Sequence, residues 1–147
     1  QPIPYGVLFG KDSVFSYVRA KEIKDYGDRR LFGKLSIGVG GHIGRNDSPN
    51  KVRRCIEREL AEEVEVQGTL SEPRIIGMLF ARDEPVDRFH FGLVYTCKTD
   101  GLVKLKEKSG SLDRMMPLEE APHYGARYET WSRILVPHLE TIYKFSK

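Results

Sequence analysis

The sequence predicts a mixed α/β fold, with sheet first, a central helix, more sheet and a last helix. Three observations carry that prediction. Short apolar runs separated by turn residues occur in both halves of the chain, as strands do. Val52, Ile56, Leu60 and Val64 recur every four residues, with Cys55 beside them, as the single apolar stripe of a helix. A second apolar series, Trp131, Ile134, Leu135, Leu139 and Ile142, marks a helix near the C-terminal end. A chain of 147 residues fits one domain spanning 1–147 and can bury a core.

Taken in order, Tyr5 to Phe9 and Val14 to Arg19 are apolar runs joined by Gly10-Lys11-Asp12-Ser13, a hairpin pattern. Lys21 to Arg30 is charged, carries Gly27 and reads as a loop. Leu35 to Val39 reads as a buried strand, and Gly44 to Pro49 as a polar loop. The central helix should run from about Pro49 to Val64, with Ser48 as N-cap and Pro49 in its first turn. Ile75 to Ala81 is a strand, Arg82 to Asp87 a loop containing Pro85, Phe89 to Cys97 a strong strand and Leu102 to Lys106 a weaker one. Lys108 to Arg114 reads as a loop, and Pro117 to Ala121 as a short helical turn stopped by Pro122. Glu129 to Tyr143 is the terminal helix, which Pro137 should kink or split.

The candidate site lies on the central helix. Residues three and four apart share a helical face, so Glu59 neighbours both Glu62 and Glu63. Like charges at that spacing repel unless cations fill the gap. Mg²⁺ takes oxygen ligands, keeps some waters and bridges to substrate phosphates, so a divalent-metal site for phosphate chemistry is expected. Glutamate is also a good helix former, and glutamate-rich helical faces are commonly just solvated. What favours a constructed site is the preceding turn, Gly38-Val39-Gly40-Gly41-His42-Ile43, in which glycines let the backbone approach a ligand closely.

With these residues in view, the chain resembles the Nudix hydrolases, whose box reads G-x5-E-x7-R-E-U-x-E-E-x-G-U, U being aliphatic. Arg58-Glu59-Leu60-Ala61-Glu62-Glu63 matches its core, Val66 its final aliphatic position, and Gly40-Gly41-His42-Ile43 its glycine turn. The resemblance implies an α/β/α sandwich around a central mixed β-sheet. It implies Glu63 as a direct metal ligand, Glu59 and Glu62 completing or water-bridging the cluster, and the Gly40 carbonyl facing the same metal. Arg58 would orient a glutamate. Glu107 is the candidate for the further acidic ligand or base, with Asp113 and Glu120 as alternatives. The implied cofactor is Mg²⁺, with Mn²⁺ as a substitute. Three departures stand out: the loop between Gly41 and Arg58 is three residues longer, the early Glu of the box becomes Asp47 or Asn50 depending on the alignment, and Glu65 replaces the late Gly.

The implied reaction is metal-assisted attack of water on phosphorus, cleaving a nucleoside diphosphate linked to another group X or a related small diphosphate. A nucleotide-binding or sensor domain without turnover is the alternative. Arg19, Arg29, Arg30, Lys34 and Arg45 are candidates to hold phosphates; His42 is near the metal region by sequence, His90 could face the cleft although a packed or edge histidine is the plainer reading, and His123 and Tyr124 lie in a loop that could cover the site. Tyr5, Phe32, Phe89 and Trp131 read as core. The net charge of +3, with a pI near 8.9, is too mild to argue for nucleic acid, and no basic–aromatic platform accompanies it. A protein acting on RNA ends therefore ranks below the hydrolase. No stretch approaches the ~18 apolar residues of a membrane span, and Gln1-Pro2-Ile3-Pro4 has no leader pattern. Cys55 and Cys97 read as small core residues, so a cytoplasmic location is expected. A homodimer is the default oligomer by base rate.

Overall fold

A computed structural model describes residues 1–19, 33–47, 50–83, 85–106 and 113–146. Its centre is a seven-stranded sheet built from β1 (Pro2–Gly10), β2 (Ser13–Val18), β3 (Leu35–Ser36), β4 (Gly38–Gly40), β6 (Arg74–Leu79), β7 (Phe91–Lys98) and β9 (Asp113–Pro117). β1 pairs with β7 in parallel, and every other pairing is antiparallel, so the sheet is mixed as expected. β5 (Val64–Gln67) and β8 (Leu102–Leu105) form a separate two-stranded ribbon.

Side-chain alternation along β1 sorts the core into two halves. Tyr5, Val7 and Phe9 point to one face, where they meet Ile37, Tyr128, Leu135, Leu139 and Ile142. Leu8 points to the other, where Ile56 and Leu60 of α1 (Lys51–Glu63) join Phe15, Val39 and Cys97. The sheet thus lies between α1 and the terminal helices α2 (Thr130–Leu135) and α3 (Leu139–Phe145), the expected sandwich. Gly6 sets the depth of α1: a Cβ there would stand 3.0 Å from Ile56 Cδ1.

The hairpin is present, and so is the helix break at Pro137, where Val136–His138 forms a 3-10 turn between α2 and α3. Leu35 to Val39 is divided into β3 and β4 at Ile37, whose N–H is taken by Ser132 Oγ (2.9 Å) instead of a neighbouring strand. β5 and β9 were not expected: each is short, and β9 lies where a loop was read up to Arg114. Pro122 opens a 3-10 stretch, Ala121–Arg127, where it had been expected to stop one; its missing N–H costs nothing in a first turn. α1 begins at Lys51 with Asn50 at the N-cap position, two residues inside the expected start; the Ser48 cap and Pro49 lie outside the described residues, as do the Lys21–Arg30 loop and Phe32. No helix among the described residues is long and apolar enough to cross a membrane.

Candidate active site

β4 ends at Gly40, and the chain then turns beside α1. The turn is close-packed: a Cβ on Gly40 would stand 1.9 Å from the Pro4 carbonyl oxygen, and one on Gly41 2.4 Å from Glu59 Oε1. The glycines expected to permit close approach therefore do so, and what Gly41 approaches is a carboxylate of α1.

Arg58 organises this corner. Its Nη1 donates to Glu59 (2.8 Å) and Glu62 (3.2 Å), its Nη2 to the His42 carbonyl (3.1 Å), and its Nε and Nη2 to the two oxygens of Asp47 (3.0 and 3.2 Å). The bidentate fit is the one a planar guanidinium makes with a carboxylate. Asp47 is buried and also accepts the Gly44 N–H at 2.6 Å. The Arg58 hydrogen bonds and then the Gly44 amide hold its carboxyl below the ordinary carboxylate range, and the Arg58 guanidinium is raised in turn. Of the two candidates for the early acid, Asp47 is returned beneath Arg58 by a 3-10 turn, Arg45–Asp47, while Asn50 occupies the N-cap position of α1 without a side-chain capping bond. The late Gly is not needed, because Val64 leaves α1 already extended (φ −125°, ψ 146°) and runs straight into β5.

The carboxylates differ in exposure. The Glu59 side chain is 12% exposed and Glu62 57% exposed, and Glu63 lies in the exposed last turn of α1. Arg19, in line with Phe15 and Tyr17 at the end of β2, stands over the Tyr17 ring and feels the charge of Glu63. Its guanidinium is raised by Tyr17 first, and its Nε is buried without a hydrogen-bond partner among the described residues. Among the described residues no three acidic, histidine or cysteine side chains stand together as a preformed metal cage. Of the three glutamates expected to converge, Glu59 and Glu62 meet at one nitrogen of Arg58, and Glu63 follows in the exposed last turn.

Cys55 lies under the turn, its thiol 3.5 Å from the Gly41 and His42 carbonyls, and burial pushes it up to about 11. His90 meets His42 edge to face, with ring centroids 5.5 Å apart, so it does stand beside the glycine turn. The other candidates are engaged elsewhere. Glu120 is bound by Arg114 and Tyr124, Asp113 accepts the Leu105 N–H (2.6 Å), and Lys34 reaches the Ala126 carbonyl (3.4 Å). Arg45 is exposed in the 3-10 turn; Glu107, Arg29 and Arg30 lie outside the described residues. Sequence reasoning missed the role of Asp47 as the clamp on Arg58. The signal was there in the alignment from the glycines, but loop geometry decides it.

No family model matches the chain. It is 31% identical over 150 residues to Protein YmaB of Bacillus subtilis (strain 168), an alignment that covers 95% of this chain and 71% of that protein. Among solved structures it is similar to Tm1382, provisionally assigned to the Nudix hydrolases, with 27% identity, a TM-score of 0.75 and coverage of 97% of this chain and 71% of the other. A NUDIX-family hydrolase from Clostridium perfringens shares the fold at 17% identity (TM-score 0.60; 96% and 97% covered). So does a MutT protein from Bacillus halodurans at 16% identity (TM-score 0.51; 95% and 81% covered).

Proposed function

Because the chain belongs to the Nudix hydrolase superfamily, we propose that it is a Mg²⁺-dependent hydrolase of a nucleoside diphosphate linked to a second group, cleaving the diphosphate by attack of water on phosphorus. The observation that carries this reading is the Arg58 fork. It holds Glu59 and Glu62 beside the glycine turn through one nitrogen, and among the described residues the second carboxylate oxygen of each takes no hydrogen bond from the protein.

The donor set fits a hard cation. Carboxylates at Glu59, Glu62 and Glu63 and the Gly40 carbonyl would hold Mg²⁺, and Mn²⁺ suits the same oxygens. Mg²⁺ keeps several waters and commonly takes only one or two carboxylates from the protein. When bound, the metal supplies charge neutralisation on the phosphates and a lowered pKa for water. Everything else is done by side chains. Arg58 fixes the rotamers of Glu59 and Glu62, and Asp47 fixes Arg58. A glutamate of the helix edge accepts the proton of the attacking water. Arg19, on the α1 face of the sheet, supplies a cation for phosphate oxygens. Glu107 is retained as the further acidic group.

The test is release of phosphate or nucleotide from a panel of nucleoside diphosphate compounds with Mg²⁺ or Mn²⁺, for the native protein and Glu63→Gln. Metal-dependent turnover that the variant loses is the expected result. A folded protein that binds nucleotides and turns over none would leave a sensor domain in place of an enzyme.

A further inference from the structure

The connection between β6 and β7 builds a cavity of about 570 Å³ whose walls include Phe80, Arg82, Arg88, Phe89, His90 and Phe91. Phe89, read from the sequence as core, is 70% exposed, and Phe80 is 61% exposed. Large apolar side chains left in water beside a site mark a binding surface more often than an accident of packing. Phe80 and Phe91 are already stacked, with ring planes 21° apart and centroids at 5.6 Å, so an aromatic face is formed in advance. Two arginines and a histidine share the same cavity, which gives one concave surface with both a planar apolar platform and positive charge.

The cavity is next to the chemistry. His90, in its wall, meets His42 of the glycine turn; the His42 carbonyl accepts Arg58 Nη2; and Arg58 holds Glu59 and Glu62. A ligand with a flat ring at Phe80 and an anionic tail passing His90 would bring that tail to the carboxylate edge. Resting on the hydrolase reading above, we propose that this cavity is the subsite for the nucleobase of the substrate. The base stacks on the Phe80–Phe91 pair beside Phe89, and Arg82 and Arg88 attract the phosphates that follow it. The substrate is then a nucleotide, and base-free diphosphates are poor ligands. Arg82 and Arg88 in the cavity wall favour a ligand with an anionic tail over a neutral apolar one.

The experiment is calorimetric binding of ADP, GDP, CDP and UDP, with inorganic pyrophosphate as the base-free comparison, in the presence of Mg²⁺, to the native protein and to Phe80→Ala and Phe89→Ala. Both side chains are exposed, so neither variant threatens the core. At least one nucleotide should bind more tightly than pyrophosphate. Each variant should weaken that nucleotide by about tenfold or more, the scale of a lost base–aromatic stack, and leave pyrophosphate unchanged. Equal binding of nucleotides and pyrophosphate, or nucleotide affinity indifferent to both substitutions, overturns the subsite. A change in oligomeric state with unchanged nucleotide affinity also overturns it and makes the patch a subunit interface. Phenylalanine-dependent nucleotide binding without any turnover would keep the subsite and remove the hydrolase reading. Turnover with an unchanged KM in both variants would do the reverse.

Discussion

Two carboxylate clusters lie on opposite faces of the sheet, and they are wired in opposite ways. On the face of the terminal helices, Glu129 is buried and fully occupied. Its Oε1 accepts Tyr5 Oη (2.6 Å), the Ser132 N–H (3.0 Å), Ser132 Oγ and Ser36 Oγ (3.3 Å), and its Oε2 accepts the Trp131 N–H (2.9 Å). It caps α2, and burial followed by its charge raises the Tyr5 hydroxyl well above its ordinary value. On the α1 face, Glu59 and Glu62 share a single nitrogen of Arg58. A carboxylate can accept about four hydrogen bonds. The first cluster spends that capacity on the fold; in the second, among the described residues, only Arg58 Nη1 draws on it, which leaves room for the proposed ligand. The acid that is fully enclosed on the α1 face is Asp47, and its partner is the arginine that aims the other two.

The comparison breaks most severely at the helix edge. Glu59→Gln and Glu63→Gln should each lower turnover by about 10²–10⁴-fold with the melting temperature nearly unchanged, measured as metal-dependent nucleotide release beside a thermal melt. Retained turnover in both would move the chemistry off this helix. Asp47→Asn touches no substrate, yet it frees one side of the Arg58 fork. It should cost about 10–100-fold in activity or in Mg²⁺ affinity, and raising Mg²⁺ in the assay should recover part of the loss. If Asp47→Asn behaves as the native enzyme at every Mg²⁺ concentration, the clamp has no catalytic consequence.

Glu129→Gln should show the reverse pattern. It keeps the shape but puts an amide among donors, for a loss of about 3 kcal/mol and a midpoint lower by roughly 10 °C. Its kcat at a temperature where both forms are folded should stay within about twofold of the native value. A collapse of kcat without a stability change would erase the distinction between the two clusters.

The smallest effect concerns the thiols behind the clusters. Burial holds Cys97 up to about 12 and Cys55 up to about 11, against an ordinary value of 9.0. A folded-state value above the unfolded one contributes stability that is complete below pH 9 and is lost as pH rises from there toward the folded values. Neither thiol should react with an aromatic disulfide reagent at pH 8 until the protein unfolds, and the denaturation midpoint should fall between pH 9 and 11. Rapid native-state labelling of Cys55 would mean that the glycine turn opens on its own.

What was legible in the sequence follows the same division. Strong local signals came through: the four-residue stripe of α1, the β1–β2 hairpin and the split at Pro137 each depend on neighbours in the chain. Glu129 is an unusual N-cap, since shorter side chains are preferred there, and its role depends on Tyr5 and Ser36, far away in sequence. β5 and β9 are strands because of their partners β8 and β2; four or five residues with charges among them carry little periodic signal. Phe89 was read as core from its aromatic character alone, but the 3-10 turn at Pro85–Arg88 leaves it outside β7 and turned to solvent.

The parallel pairing of β1 with β7 also sets an order in time. Residues 2–9 find their partners at 91–98, so the two middle strands of the sheet cannot meet until nearly two thirds of the chain is available. The whole glutamate motif lies between them. During synthesis α1 therefore emerges complete while the floor it packs on is still half built, and a fragment ending soon after Val66 would carry every residue of the motif with no surface to hold them in register.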